Sequence, residues 1–299
     1  MVDYNKFIKN SRKWLFQYIR DNHLQSLVIG ISGGIDSTVS CAIAYPVCYD
    51  LGIPLIGRSL PTTSNKIDET TTAFKVGEAF CNDFKEVSIE NSFSFVFADL
   101  ALNEGHITPL QEGNIKARLR MIYLRHLASI HKGVVLDNDN FTEWNLGFWT
   151  VGGDSPMDVN LGLYYLWKTE IYELADYLYN LYRDSGNSEY ENGNYWGYDY
   201  DKASAIKASI ALTPTDGNGV SNSDCEQFGL DNYEQVDDVL KTVYYTSYAV
   251  GSKEAKDAYI RLIDSYGEQG VDKIMILHQS TEYKRKKLPI KPTMAELEL

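Results

Sequence analysis

Hydrophobic positions along the chain follow two alternating patterns. Near the start, apolar residues that include Phe7, Leu15 and Ile19 recur at the spacing of one helix face. Short apolar runs bounded by polar residues come next, as expected of buried parallel strands, at residues 26–31, 53–57, 85–89 and 133–136. Helical patterns separate or follow these runs, at residues 68–80, 113–130, 168–182, 236–250 and 255–265. A helix that starts at Thr38 is expected to kink or end at Pro46.

Strands that alternate with helices of this length form βαβ units. We therefore predict an α/β protein with a doubly wound parallel sheet flanked by helices and with ligands at the carboxyl ends of the strands. Residues 1–299 are predicted to form one domain. Residues 184–201 are rich in Gly, Asn, Ser, Tyr and acidic residues, which indicates an exposed insertion, either a simple surface loop or a substrate lid.

The charge of the chain limits its partners. It has 41 acidic and 28 basic side chains, and the formal net charge of -13 opposes a sequence-independent grip on nucleic acid or an anionic membrane. A local loop can still bind a nucleotide phosphate. The four cysteines have no CxxC or metal-finger spacing and are interpreted as reduced thiols. The chain shows no signal-peptide pattern, so we expect a cytoplasmic protein without nucleic-acid or membrane partners.

The strongest chemical signal is a glycine-rich loop directly after the first predicted strand. It consists of Gly30, Ile31, Ser32, Gly33, Gly34, Ile35, Asp36 and Ser37. Adjacent glycines let backbone amides converge on an anion, and the following helix presents its positive end, so the loop is a candidate phosphate site. A carboxylate beside phosphates needs a cation between them, so Asp36 predicts Mg²⁺. The alternative is an ordinary turn in which Asp36 caps the helix.

Residues 32–37 (SGGIDS) resemble the SGGxDS pyrophosphate-binding loop of the ATP pyrophosphatases, a group with the adenine nucleotide α-hydrolase fold. Further segments resemble the NAD synthetase family within that group and occur in the family's order. They are residues 113–121 (GNIKARLRM), 139–154, 168–175 (KTEIYELA), 214–216, 228–237 and 284–289. Together they span most of the chain, which is far more specific than a single loop.

The resemblance implies a set of site residues and ligands. It implies ATP contacts from the glycine-rich loop and from Asn138, Lys168 and Thr215. It implies contacts to deamido-NAD (nicotinic acid adenine dinucleotide) from Arg118, Phe148, Asp158, Tyr283 and Lys284. Mg²⁺ is expected on Asp36 and Glu143. Asp154 is expected to hold and deprotonate ammonium, and Lys168 to neutralise the departing pyrophosphate, so that Asp36, Asp154 and Lys168 form the catalytic set. Family members are homodimers, and the same is expected here.

Taken alone, three of these residues have ordinary interpretations. Arg118 offers the bidentate fork that carboxylates and phosphates need, but basic residues on a helix often form a solvated face. Glu143 could face solvent from a loop, and Asp154 could serve the turn between Gly152 and Pro156.

Five positions depart from the family's pattern. Asp137 and Asn138 stand where the family has glycine and threonine, and Val151 where it has lysine; Asn140 and Tyr283 both stand where it has histidine. Asn138 can still donate and accept hydrogen bonds, whereas the Val151 side chain cannot supply a cationic contact.

The resemblance implies a ligase that adenylates the nicotinate carboxylate of deamido-NAD with ATP and then uses ammonia to form NAD. Free ammonia is expected because glutamine-using members carry an additional amidohydrolase domain, for which the residues before position 26 leave too little room. One alternative is another ATP pyrophosphatase that amidates or adenylates a different acceptor. A second is a non-catalytic nucleotide sensor, which Val151 and Tyr283 would favour and the joint retention of Asp36, Glu143 and Asp154 opposes.

Overall fold

A five-stranded sheet forms the centre of the protein. The computed structural model describes residues 2–184, 199–215, 221, 223–246, 252–286 and 292–298. The strands are β1 (Ser26–Gly30), β2 (Leu55–Ser59), β3 (Asp83–Glu86), β4 (Gly133–Asp137) and β5 (Val159–Asn160), in the spatial order β3-β2-β1-β4-β5. Every adjacent pair is parallel, which confirms the predicted α/β fold with a doubly wound parallel sheet.

Helices cover both faces of the sheet and extend beyond it. Within the described residues they are α1 (Tyr4–Asp21), α2 (Ile35–Leu51), α3 (Ile67–Phe80), α4 (Glu90–Glu104), α5 (Pro109–Ile130), α6 (Phe141–Leu146), α7 (Lys168–Arg183), α8 (Tyr200–Ala211), α9 (Asp224–Phe228), α10 (Tyr233–Thr246), α11 (Lys253–Tyr266), α12 (Glu268–Ser280) and α13 (Met294–Leu297). Short 3-10 helices lie at Leu163–Tyr165 and Glu282–Lys286. None of the helices described has the length and apolar character to cross a membrane.

The two faces of β1 bury different side chains. Leu27 and Ile29 pack into the main apolar core with α1, α2, α3, α7 and α8, whereas Val28 packs against Leu124 of α5 on the opposite face. A strand buried on both faces needs apolar residues at every position, which explains the continuous apolar run. A second core joins α6, α9, α10, α11 and α12 beside the sheet.

The strand order places a topological switch point at β1. The chain runs from β1 outwards to β2 and β3, then returns to the other side of β1 for β4 and β5. Ligands of open α/β sheets bind at such a point, beside the carboxyl ends of the strands. The glycine-rich loop follows β1 there, and Asn138 follows β4 and donates from Nδ2 to the carbonyl of Gly30 at 3.4 Å.

Most predicted elements agree with the structure, but several boundaries differ, and seven of the described helices and strands are not predicted by the sequence pattern. α5 begins four residues early because Thr108 and Gln111 form a capping box at its start. The predicted third strand is displaced: Val87 and Ile89 lie beyond β3, and their amides donate to the carbonyl of Ser59, the last residue of β2, and to that of Pro61. The apolar pattern does not predict α4, of which only Phe93 is buried. It also does not predict α6, α8, α9, α12, α13 and β5.

The predicted insertion lies largely outside the described residues. α7 ends at Arg183 and α8 begins at Tyr200, and between them the structure describes only Asp184 and Asp199. The exposed insertion and the single domain therefore stay predictions. The last residues of the predicted helix at 236–250 also fall outside, since α10 is described to Thr246.

Pro46, expected to kink or end its helix, does not end it, because α2 continues to Leu51. Proline has no amide hydrogen, so the carbonyl of Ala42, four residues earlier, loses its helical donor. Arg12 of α1 is 3% exposed and donates from Nη2 to this carbonyl at 2.9 Å and from Nε to that of Ile43 at 3.2 Å. The guanidinium therefore replaces the hydrogen bond that proline removes.

Replacing Arg12 with methionine should destabilise the protein by about 2 kcal/mol, because a buried carbonyl loses a charged donor. Urea unfolding measures this difference. Pro46→Ala restores an amide hydrogen opposite the Ala42 carbonyl, so the cost of Arg12→Met should be smaller in that background. An equal cost in both backgrounds would show that Arg12 does not compensate for Pro46.

Candidate active site

The amino group of Lys168 joins two carboxylates at the switch point. Its Nζ lies 2.5 Å from Oδ2 of Asp36, in the first turn of α2, and 2.9 Å from Oε1 of Glu143, in α6. Lys168 is 3% exposed. Burial lowers the pKa of Lys168, but the two carboxylates outweigh it and raise that pKa well above its ordinary value. The structure therefore brings together three residues of which two, Asp36 and Lys168, are 132 positions apart in the sequence.

A buried carboxylate of the second core fixes the position of Lys168. Asp237 of α10 accepts from the amide of Thr169 at 2.9 Å and from the hydroxyl of Thr142 at 2.5 Å. The same Thr142 oxygen accepts from the amide of Lys168 at 2.8 Å. The first turn of α7 is thus bound to α6 and α10, which sets where the lysine side chain starts.

The surroundings of Glu143 disfavour the ionised form of its carboxyl group. Burial, followed by the nearby Asp36 carboxylate, raises its pKa to about 7, although Lys168 acts in the opposite direction. Two carboxylates this close need positive charge between them. Glu143 is therefore not the solvent-facing loop residue of the alternative interpretation.

The glycine-rich loop is braced against α3. Gly33 has φ of +87°, and a Cβ there would lie 2.4 Å from the carbonyl oxygen of Glu69, so only glycine fits. The amide of Gly34 donates to Ser32 Oγ at 3.1 Å, and Ser37 Oγ donates to the Gly34 carbonyl at 3.1 Å. Gly34 is the N-cap of α2 and supplies no capping side chain, so Asp36 does not cap the helix.

A cavity of about 530 Å³ opens beside the loop. Its wall contains most of the predicted ATP-binding residues, namely Gly30, Ile31, Ser32, Gly34, Ile35, Asp36, Asn138, Lys168 and Thr215. It also contains Arg118, Glu143, Phe148, Asp154, Tyr283 and Lys284. Gly33, Ser37 and Asp158 are the predicted site residues that do not line it.

Two cationic side chains hold backbone carbonyls of the same segment in the cavity wall. Arg118 donates from Nε and Nη2 to the carbonyl of Val151, each at 3.3 Å. Lys284 donates from Nζ to the carbonyls of Gly147 at 2.6 Å and Trp149 at 2.5 Å, and burial lowers its pKa. Val151 thus takes part in the wall through its carbonyl, and Arg118 is not merely part of a solvated helix face.

Asp154 presents its carboxyl to the cavity from a turn. Its Oδ1 accepts from the amide of Thr150 at 2.6 Å. Asp154 is exposed to the solvent of the cavity, and its partial desolvation by the surrounding protein raises its pKa. Asp154 therefore serves the turn and is also suited to accept a proton, so the two interpretations of this residue are compatible.

Further acidic groups stand behind this wall. Asp137 is fully buried and accepts from the amide of Met157 at 2.7 Å and from Asn160 Nδ2 at 3.1 Å; burial raises its pKa to about 6. Burial and the neighbouring Asp137 also raise the pKa of Asp139, which lines the cavity. This concentration of carboxyl groups favours cations in the cavity.

Two predicted contacts are engaged within the protein. Asp158 lies 2.5 Å from Nη1 of Arg125 and accepts from the amide of Val135 at 2.9 Å, away from the cavity wall. Thr215 donates to Glu69 Oε1 at 2.5 Å. The dinucleotide contact of Asp158 and the ATP contact of Thr215 stay predictions, and Asp216 and Pro289 of the matched segments lie outside the described residues.

The sequence reasoning assigned no role to Asn140, Asp237 or Trp149, all of which shape the site. Asn140 caps α6, and the spacing of Asn140 and Glu143 is that of a capping box, a signal that could have revealed this helix. Trp149 stacks on Trp144, with ring centroids 5.3 Å apart, beneath Lys284. Asp237 has no local signal, because its partners are distant in sequence.

A glycine-rich loop and a lysine between two carboxylates, at the switch point of a parallel sheet, define a nucleotide-binding α/β protein. The family model for NAD synthase matches residues 7–288. The NH(3)-dependent NAD(+) synthetase of Mycoplasma genitalium is 34% identical over 176 residues, which cover 58% of this chain and 68% of that protein. The enzyme of the same name from Thermoplasma acidophilum is 28% identical over 287 residues, covering 95% and 97%.

Among solved structures, the NMN synthetase of Francisella tularensis superposes with a TM-score of 0.70 at 24% identity, over 98% of this chain and all of that one, and so shares the fold. The chain belongs to the NAD synthase family. Members of this family are ATP-using ligases that form a carbon–nitrogen bond.

The raised pKa of Glu143 predicts a pH-dependent difference between the wild type and Glu143→Gln. The folded state binds this proton more tightly than the unfolded state does, so the associated stability is present below about pH 4.5 and is lost as the pH rises to about 7. Urea unfolding from pH 5 to 8 should therefore show wild-type stability falling relative to Glu143→Gln. The exposed Glu268→Gln is the control, and parallel curves for wild type and Glu143→Gln would contradict the prediction.

Proposed function

We propose that this protein amidates deamido-NAD to NAD, using ATP and ammonia. The observation that carries the proposal is the Lys168 amino group between Asp36 and Glu143, beside a glycine-rich loop, in a member of the NAD synthase family. The names of the curated relatives support ammonia as the nitrogen source.

In the first step the nicotinate carboxylate attacks the α-phosphorus of ATP. A bond forms between a carboxylate oxygen and the α-phosphorus. The bond between the α-phosphorus and the oxygen that bridges to the β-phosphorus breaks, and pyrophosphate leaves. The loop amides and the hydroxyl of Ser32 are suited to bind the phosphates at the positive end of α2. Lys168 is suited to neutralise the charge that builds up on pyrophosphate, because it carries a stable positive charge in a shielded site.

In the second step ammonia attacks the carbonyl carbon of the adenylate and AMP leaves. Ammonium must first lose a proton to become a nucleophile. Asp154 lines the cavity with a raised pKa, which makes its carboxylate a better proton acceptor than an ordinary aspartate. Asp139 lines the same cavity and Asp137 is buried behind it, and ionised carboxylates there would attract the ammonium ion.

Magnesium is part of the proposal, and the donor set fits it. Asp36 and Glu143 offer carboxylate oxygens within 2.5 and 2.9 Å of one Nζ, so both can face a common cationic centre. Mg²⁺ prefers one or two carboxylates with phosphate oxygens and water. Within the described residues no three His, Cys, Asp or Glu side chains form a metal cluster, so the nucleotide would complete the shell. The ion would supply further charge neutralisation at the phosphates.

The acceptor is expected beside Arg118, Phe148, Tyr283 and Lys284. These residues line the same cavity as the loop, and Phe148 packs edge-on against Phe228, with ring centroids 4.9 Å apart. Arg118 reaches the backbone of Val151, so it can supply positive charge near the position where the family's lysine is missing.

The test is a mass-spectrometric assay with ATP, Mg²⁺, ammonium and deamido-NAD. We expect NAD, AMP and pyrophosphate in equal amounts. Asp36→Asn should abolish turnover, and Asp154→Asn should reduce kcat at least about 100-fold with little change in ATP binding, because it removes the proton acceptor. Asp257→Asn, on the remote α11, is the control.

Other outcomes would replace the proposal. Amidation of nicotinic acid mononucleotide alone would change the acceptor, and AMP without either amide would point to another acceptor class. Nucleotide binding without turnover would indicate a sensor. Equal use of glutamine at low concentration would overturn the assignment of ammonia.

A cytoplasmic homodimer completes the proposal. All four cysteines are free thiols, as is usual in the cytosol. Large apolar side chains are exposed on two successive helices: Phe95 (79%) and Leu102 (85%) on α4, and Leu110 (67%), Ile122 (66%) and Ile130 (58%) on α5. Phe95 and Leu102, seven residues apart, share one face of α4. Exposed apolar side chains of this size are typical of a protein interface, and the expected homodimer assigns this face to a second copy.

The double substitution Phe95→Glu and Leu102→Glu should convert the dimer to a monomer, because charges would replace apolar contacts. Sedimentation velocity measures the change. Ile276→Glu, at an exposed apolar residue of α12, is the matched control and should leave the dimer intact. A monomeric wild type, or a dimer that survives the double substitution, would contradict this assignment.

A further inference from the structure

Asn140 is a fully buried residue that contacts both proposed cation ligands. Its Nδ2 donates to Asp36 Oδ1 at 2.8 Å. Its side-chain Oδ1 accepts from the backbone amide of Glu143 at 3.0 Å, and its backbone amide donates to Glu143 Oε2 at 3.3 Å. A single side chain thus connects the first turn of α2 to the start of α6.

Together with Lys168, Asn140 closes a ring of hydrogen bonds. Lys168 binds Asp36 Oδ2 and Glu143 Oε1, while Asn140 binds the other oxygen of each carboxylate. Each carboxylate is therefore held from two sides and has a defined orientation. The lysine supplies the charge that keeps the carboxylates together. The Asn140 side chain fixes the orientation of the Asp36 carboxylate and caps α6, and the backbone amide of Asn140 binds the Glu143 carboxylate.

The chemistry of this position favours asparagine. The start of α6 needs a side-chain acceptor for the Glu143 amide, and Asp36 needs a donor. Asparagine supplies both from one planar group. Aspartate would cap the helix but repel Asp36, serine would cap it but is too short to span the gap to Asp36, and histidine would donate to Asp36 but is a weak cap.

We propose that Asn140 is a positioning residue that holds Asp36 and Glu143 in the orientation required for a divalent cation bound with nucleotide. This inference rests on the proposed cation site. It assigns a role to a position at which the chain departs from the family pattern, and it explains why the departure is compatible with an intact site.

The test uses Mn²⁺ and the non-hydrolysable nucleotide α,β-methylene-ATP on the full chain, with electron paramagnetic resonance of bound Mn²⁺ as the readout. Asn140→Ser retains a good helix cap and removes the donor to Asp36. We expect it to weaken binding of the Mn²⁺–nucleotide complex about tenfold, the loss of one charged hydrogen bond, and to alter the Mn²⁺ line shape. Asn145→Ser, a buried asparagine of the same helix that binds Phe141 instead, should change binding less than about twofold.

A double-mutant cycle separates positioning from a merely structural role. If Asn140 acts through Asp36, Asn140→Ser should have little further effect on binding in an Asp36→Asn background. Additive losses, or wild-type affinity in Asn140→Ser, would overturn the inference. Restored binding in Asn140→His, which regains a donor to Asp36, would support it.

The two proposals can fail separately. Tight binding of the Mn²⁺–nucleotide complex with the expected cycle, but no NAD, would leave the role of Asn140 intact and refute the amidation. NAD formation by the wild type, together with unchanged binding of the Mn²⁺–nucleotide complex by Asn140→Ser, would support the amidation and refute the role of Asn140. Failure of the wild type to bind the complex would overturn the cation site and this inference together.

Discussion

The pairing of Lys168 with Asp36 and Glu143 is the interaction on which the site depends. Two partly buried carboxylates this close repel each other, and burial with this repulsion raises the pKa of Glu143 to about 7, so they stay together only with positive charge between them. The lysine supplies that charge from the first turn of α7. The same electrostatic problem returns when triphosphate enters, because the phosphates add negative charge beside the carboxylates. A site that already concentrates acid around one lysine is therefore suited to take up cation and nucleotide together.

This requirement links the sheet to the second core. Lys168 can reach both carboxylates only if the start of α7 is fixed, and Asp237 of α10 fixes it through Thr142 and Thr169. The apolar core that joins α6, α10 and α12 thus does more than bury surface, since it positions the backbone amides of Lys168 and Thr169. A change in that core would act on the chemistry through this short chain of hydrogen bonds, without any contact to a ligand.

The sequence was informative where one local pattern determined one structure. The apolar run at 26–31 followed by SGGIDS was enough for β1, its loop and the candidate phosphate site, because strand, turn and helix signals lie side by side. It was uninformative where a tertiary contact replaced a local rule. Pro46 does not end α2, because Arg12 from another helix replaces the missing donor. The pattern did not predict α4, because its apolar residues do not form one buried stripe and several of them are exposed. No window along the chain contains those partners.

The departures from the family pattern follow the same logic. The replacement of lysine by Val151, judged in isolation, removes a positive charge. However, the carbonyl of Val151 accepts hydrogen bonds from Arg118, so another helix supplies positive charge at that wall. Asn140 for histidine removes a titratable ring but supplies a donor to Asp36 and a cap for α6. What the site requires is an arrangement of donors, acceptors and charges, and different side chains can supply it. A departure weakens the case for a functional site only when the structure offers no group to take over the lost interaction, and at these two positions it offers one.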